Sequence, residues 1–210
     1  MVKTLLDIEN WNRKEHFMFF KQFEEPFFGL TVEIDCSKAY KAAKELGTSF
    51  FVYYLHKTIV EVNTIEPFRY RIVEDAIYIY DTIDVSATIM RSDNTFGFSL
   101  IQYSADFEAF SRNAMAEIER IQNTPGLFTR EFPLDNLIHF SAVPWVNFTS
   151  LTHARSYTFP DSCPKISFGK MTIGNDGKRT MPISIHAHHG LMDGYHVGLF
   201  IDCFQELMNE

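Results

Sequence analysis

From Gly29 to Asp35, Leu30, Val32 and Ile34 alternate with polar neighbours, the period-two pattern of a strand with one buried face. Asp35 and Ser37 supply a helix start, and Cys36 to Leu46 reads as a short helix stopped by Gly47. Ser49 to Asn63 is apolar and aromatic-rich with few charges, so it predicts a helix buried on most of its sides. The middle of the chain is β-like, with short runs at Phe68–Val73, Ala76–Tyr80 and Asp84–Met90, turn signals such as Glu74-Asp75 between them, and a further strand at Phe96–Tyr103. Helical spacing returns from Asp106 to Ile121 through Phe107, Phe110, Ala114, Ile118 and Ile121, ending before Thr124-Pro125-Gly126. The last third predicts strands at Leu137–Ala142, Asn147–Ser150, Ile166–Ile173 and Ile183–His188, then a closing helix at His196–Met208. Asn175-Asp176-Gly177 predicts a hairpin turn, because the positive φ angles of such turns suit Asn and Gly.

This layout is α+β, a mainly β core covered by a few helices. No repeat and no Gly/Ser/Pro-rich linker interrupts it, so residues 1–210 read as one domain. The 21 Phe and 9 Tyr demand a large apolar interior, an interface or an aromatic-lined slot to hide them. A net charge of -8 argues against a nucleic-acid partner, although a local Lys/Arg cluster can still hold a small anionic cofactor. No uninterrupted apolar stretch of about 18 residues predicts a membrane span, and Met1 to Arg13 mixes charges unlike a signal peptide. A cytoplasmic location is expected. Cys36, Cys163 and Cys203 are odd in number and far apart, which suits reduced thiols better than a disulfide framework.

His186, His188, His189 and His196 fall close together, with Asp193 among them. A metal site is one reading, but on a strand His186 and His188 share a face while His189 points to the other, and no helical His-x-x-x-His pair or second ligand set is present. Solvated histidines at a strand end are a second reading. The third is a general base: Gly190 and Gly194 bracket a tight turn containing Asp193, which would fix a ring at one angle, and imidazole exchanges protons near neutrality.

The pattern His188-His189-x-x-x-Asp193-Gly194 resembles the signature of the chloramphenicol acetyltransferase superfamily, which includes the acyltransferase cores of 2-oxo acid dehydrogenase complexes and peptide-synthetase condensation domains. Further blocks recur in order. Trp11-Asn12-Arg13-Lys14-Glu15-His16-Phe17 is similar to the N-terminal Trp-x-Arg-x-Glu-His-Phe block of chloramphenicol acetyltransferases. Pro67-Phe68-Arg69 with Ile77–Asp81 resembles the central hairpin, and Ser141–Phe148 the block before the acceptor pocket. The resemblance implies a mixed sheet flanked by helices, the CoA-dependent acyltransferase fold, assembled as a homotrimer with active sites between subunits. It implies acetyl-CoA as a co-substrate, with no permanently bound cofactor or metal, and a small-molecule hydroxyl as acceptor, chloramphenicol first among them. His189 would take the hydroxyl proton without a covalent acyl-enzyme. Ser141 would bond the developing oxyanion, and Ser167, where the family has threonine, would help through a water. Asp193 and Arg13 would form a buried ion pair that shapes the site. Phe19, Phe20, Phe96, Phe132, Leu151, His153 and Arg155 would fall at acceptor-binding positions, and Lys170 near the coenzyme phosphates.

The chain departs from the family where the acceptor should bind. His153 and Arg155 stand at positions that are apolar in the drug-acetylating enzymes, and a guanidinium among apolar groups must be desolvated or swing away. The Glu24–Gly29 loop carries Phe27-Phe28 and is one residue shorter, and the stretch from Phe132 to Ser141 is about four residues shorter by the family pattern. Ser49 precedes Phe50-Phe51 where the family often has a lysine. The catalytic elements are therefore expected intact and the acceptor open. A more polar acceptor and a catalytically silent ligand-binding trimer are the alternatives.

Overall fold

The computed structural model describes residues 2–132, 135–158 and 161–210. In chain order its strands and helices are β1 (Lys3–Leu5), α1 (Lys14–Phe20), β2 (Phe27–Asp35), α2 (Ser37–Glu45) and α3 (Phe50–Thr64). Then follow β3 (Tyr70–Val73), β4 (Ala76–Tyr80), β5 (Asp84–Met90), β6 (Phe96–Phe98) and α4 (Phe107–Gln122). The chain closes with β7 (Leu137–Ala142), β8 (Lys165–Phe168), β9 (Thr172–Ile173), β10 (Arg179–His188) and α5 (Gly194–Met208).

The main sheet has the order β2-β10-β8-β7-β5-β6, with β9 hairpinned onto β10. It is mixed: β5, β7 and β8 run parallel, and β2, β10 and β6 are antiparallel to their neighbours. Alternation gives each strand two unlike faces. Ile138 and Phe140, Ile166 and Phe168, and Ile183 and Ile185 turn to one face and join the principal core with residues of α2, α3, α4 and α5. His139 and Ser141, Lys165 and Ser167, and Ser184 and His186 fall on the other.

A smaller antiparallel sheet, β1-β4-β3, packs separately. Its Tyr70 and Ile77 form a second apolar cluster with Phe17 of α1 and Leu191 of the turn after β10. Burying a side chain such as Phe17 stabilises by roughly 1.5–3 kcal/mol. That cluster holds α1 against the turn carrying His189. Arg71 ties the two sheets together: it is buried and donates to the carbonyls of Phe68 and Tyr70 at 2.9 and 2.6 Å and of Leu137 at 2.5 Å.

Several expectations are corrected. Asn147–Ser150 forms no strand; Val143 to Ser150 is a turn and extended coil. Phe96–Tyr103 is a strand only to Phe98, because the Ser99 hydroxyl takes the Ala87 N–H at 3.0 Å; backbone bonding to β5 continues through Ser99 N–H to Ala87 O at 2.9 Å and the isolated Val85–Ile101 bridge. Ile166–Ile173 is two strands, broken at Gly169, where a Cβ would collide with Pro182. In the β9–β10 turn only Gly177 has positive φ, at 81°. β1 and α1 lie where the apolar pattern predicts no element. The closing helix starts at Gly194, and Asp193 is its N-cap rather than part of a turn bracketed by glycines. Pro133 and Leu134, in the stretch expected to be shortened, lie outside the described residues.

Candidate active site

β10 ends at His188, and the chain folds back at once: Leu191 and Met192 N–H donate to the His188 carbonyl at 2.9 and 3.2 Å. The His188 ring is buried, and its Nδ1 accepts the Gly190 N–H at 3.1 Å. A Cβ on Gly190 would lie 3.0 Å from that ring and 3.3 Å from Phe17, a tight approach that glycine relieves. Burial first, then the positive charge of Arg155, pushes the His188 imidazole down to about 4. His188 is thus a neutral structural group that braces the turn.

His189 lies just beyond the strand and is half-buried. Its N–H donates to Pro26 O at 2.8 Å, and its carbonyl accepts from Arg13 Nη2 at 3.1 Å. The ring lies flat on Phe20, centroids 4.0 Å apart and planes 9° apart, with Phe28 at 4.6 Å on an inclined plane. Apolar stacking and two backbone ties therefore fix an imidazole whose Nδ1 has no partner among the described residues.

Asp193 caps α5 by accepting the Tyr195 N–H at 3.0 Å, and it meets His196 Nδ1 at 2.9 Å. Arg13 Nη1 reaches its other oxygen at 2.5 Å. One arginine thus bonds both the cap and the His189 carbonyl, coupling the helix to the turn that carries His189. Burial alone would raise the Asp193 carboxyl, but the Arg13 hydrogen bond and charge hold it below the usual carboxylate range.

The expected hydroxyls meet elsewhere. Strand register aligns Ser141, Ser167, Ser184 and Thr31 across β7, β8, β10 and β2 on the polar face of the sheet. Thr31 Oγ1 donates to Ser184 Oγ at 3.1 Å, and Ser167 Oγ lies 3.4 Å from His153 Nε2. Ser184, paired with Ser167, precedes His189 by five residues, about 15 Å along an extended strand. Within one chain His189 and the two serine hydroxyls form two separate groups.

The residues expected to bind the acceptor divide the same way. Phe20, with Phe19 and Phe23 around it, belongs to the His189 group. Phe96 packs on Phe98, which stacks on Phe128, which in turn meets Phe132; Phe98 then approaches His139 on the hydroxyl-bearing face. Leu151, His153 and Arg155 also lie over that face, beside His186 and Lys165. Lys170 is exposed just after β8, its N–H held by Val146 O at 2.8 Å. Sequence reasoning did not assign Glu25, His139, Lys165 or His186 to the site. The alternation that puts His139 with Ser141 and Lys165 with Ser167 was the available signal. Among the described residues no group of three or more His, Cys, Asp or Glu side chains is placed to hold a metal, and no helix is long and apolar enough to cross a membrane.

The mixed sheet, its helical cover and a histidine held at the end of β10 define a CoA-dependent acyltransferase fold. A solved chloramphenicol acetyltransferase superposes with a TM-score of 0.86 at 34% identity, covering 99% of this chain and 100% of its own. A probable dihydrolipoamide acetyltransferase from Listeria monocytogenes shares the fold at a TM-score of 0.63 and 16% identity, over 92% and 88% of the two chains. Chloramphenicol acetyltransferase 3 of Escherichia coli is 31% identical over 98% of this chain and 97% of its own length. A chloramphenicol acetyltransferase of Proteus mirabilis is 28% identical over 98% and 94%. The family model described as chloramphenicol acetyltransferase matches residues 1–205. The chain belongs to the chloramphenicol acetyltransferase family.

Proposed function

We propose that residues 1–210 act as one domain that transfers the acetyl group of acetyl-CoA to a hydroxyl of a small molecule, with chloramphenicol, named by its relatives, as the first acceptor. The observation that carries this reading is the immobilised His189 ring, stacked on Phe20 with its backbone tied to Arg13 and Pro26. An imidazole so held takes the acceptor proton as the oxygen attacks the thioester carbon, and returns it to the CoA thiolate. No acyl-enzyme is needed. Ser141 stabilises the oxyanion and Ser167 orients a water beside it. Arg13 and Asp193 keep the turn in place. Phe19, Phe20, Phe96, Phe132, Leu151, His153 and Arg155 surround the acceptor, and Lys170 meets coenzyme phosphates. Acetyl-CoA comes and goes as a co-substrate, and no resident cofactor or metal takes part. The enzyme works in the cytoplasm.

The active unit in this reading is a homotrimer in which His189 of one subunit faces Ser141 and Ser167 of the next. The roughly 15 Å offset along β10 supports it, since proton transfer requires contact at hydrogen-bond distance. Exposed Phe19, Leu30 and Trp145 are available to such an interface.

Thiol release from acetyl-CoA, measured with chloramphenicol and then with other hydroxylated compounds, tests the proposal. Turnover that falls about 10²–10⁴-fold in His189→Ala supports it. Equal activity of the two proteins would remove His189 as the base, and no thiol release with any acceptor would leave a ligand-binding homologue.

A further inference from the structure

The segment from Ser150 to Arg155 arches over the polar face of the main sheet and closes a cavity of about 330 Å³ against it. Glu25, Phe27, Leu151, His153, Arg155, Lys165 and His186 are among the residues that line it. Phe27 and Leu151 are the apolar side chains among them and the other five are ionisable, whereas the His189 ring rests on Phe20 and Phe28.

Arg155 stands out. Its side chain is only 12% exposed, and its guanidinium carbon sits 3.4 Å from the centre of the Phe27 ring. Stacking fixes the plane of the group and leaves its edge donors free to bond. Two of them, Nε and Nη1, have no hydrogen-bond acceptor among the described residues. The neighbouring carboxylates do not claim them. Asp161 is 4.0 Å away and is engaged by Lys165 Nζ at 2.5 Å and by the Cys163 N–H at 2.8 Å. Glu25 lies 3.4 Å from Nη1 outside hydrogen-bond geometry, is 40% exposed, and accepts the N–H of Phe27. A screened contact of that kind is weak. Idle donors on a nearly buried guanidinium are costly, and an oxyanion is the group that satisfies two of them at once.

The two histidines add hydrogen-bonding groups without adding charge. Burial first, and then His186, Lys165, His139 and Arg155 around it, push His153 down to about 4, and His186 is lowered as well. Both are neutral hydrogen-bonding groups near neutrality, in a cavity whose closest cations are Arg155 and Lys165. Gly29 is what admits the His186 ring, since a Cβ there would collide with it.

We propose that this cavity receives a carboxylate carried by the acceptor alcohol, and that Arg155 sets the preference for it. The proposal rests on the acetyl-transfer reading above and names the class of acceptor: a hydroxylated small acid in preference to its neutral counterpart.

Matched pairs test it by thiol release from acetyl-CoA: N-acetylserine against N-acetylserinamide, and para-hydroxymethylbenzoate against para-hydroxymethylbenzamide, with chloramphenicol as a neutral reference. The expected result is an acid-to-amide ratio in kcat/KM of about 10 or more, the scale of a charge-assisted hydrogen bond. Arg155→Met should bring the ratio towards one, and Arg155→Lys should leave it in between, because an ammonium cannot offer the fork. A wild-type ratio at or below one overturns the proposal without recourse to any variant, as does a ratio that survives in both variants. Turnover of chloramphenicol with neither acid accepted overturns it and leaves acetyl transfer standing. Absence of thiol release with every compound removes the acetyl-transfer reading and this inference with it.

Discussion

His188 and His189 are adjacent in sequence, yet one ring is buried with its Nδ1 committed to Gly190 while the other lies half-open on Phe20. What separates their roles is the support behind them, and Arg13 is its centre, because it bonds both Asp193 and the His189 carbonyl. Its side chain is 10% exposed, and that of Asp193 is 32%. Breaking such a pair costs about 2–3 kcal/mol after allowance for the exposed carboxylate, or a fall in Tm of about 5–10 °C. Since the Asp193 pKa is depressed, its contribution is complete above about pH 4 and is lost as the pH falls through the depressed value. Asp193→Asn should therefore melt lower than wild type at neutral pH, and the two melting curves should converge below about pH 4. A gap that stays constant down to pH 3 would assign the loss to packing or capping instead. The histidine pair and the capping aspartate were legible because a short local motif carries them. The bond from Arg13 was not, since nothing local in the sequence states that residues 180 positions apart touch; only the ordered family blocks implied it.

At the scale of elements, the polar face of the sheet depends on side chains that fit across strands. Gly29 of β2 pairs with His186 of β10, and the imidazole lies over the glycine where a Cβ would otherwise stand. Gly29→Ala must displace that ring, which also lies edge-on to His153 at 4.8 Å. The expected cost is about 1–3 kcal/mol by denaturant unfolding, together with a raised KM for the acceptor and little change in KM for acetyl-CoA. An equal rise in both KM values would indicate general loosening of the sheet. The same element scale shows where pattern reading succeeds. The bounds of β4, β5 and β7 follow from short apolar runs between turn signals, and they agree with Ala76–Tyr80, Asp84–Met90 and Leu137–Ala142. It fails where tertiary partners intervene. The Ser99 hydroxyl takes the Ala87 N–H and interrupts the ladder with β5, and Phe148, part of the expected Asn147–Ser150 strand, packs beside Gly169 in coil. α1 escaped notice because its seven residues bury one side chain, Phe17, and so show no helical period.

At the scale of the whole molecule, Ser184, which pairs with Ser167, stands about 15 Å along β10 from His189. The proposed reaction needs a hydroxyl, a thioester carbon and the His189 ring in contact, and in the proposed trimer two neighbouring subunits would supply that contact. Two inactive variants make the consequence measurable. His189→Ala removes the base and is expected to cost about 10²–10⁴ in rate; Ser141→Ala removes an oxyanion donor and should cost about 10²–10³. Each variant keeps the half-site the other has lost. When both are co-expressed equally, subunits assemble at random into closed rings. Each interface then joins an intact His189 to an intact Ser141 about once in four, so the mixture should recover about one quarter of wild-type activity per site. Separately purified variants assayed side by side without exchange should show only the average of their residual rates. If co-expression gives no more than that average, while the mixed oligomers are shown by differential tagging to have formed, both halves of the site belong to one chain, and the polypeptide must rearrange by some 15 Å to close it.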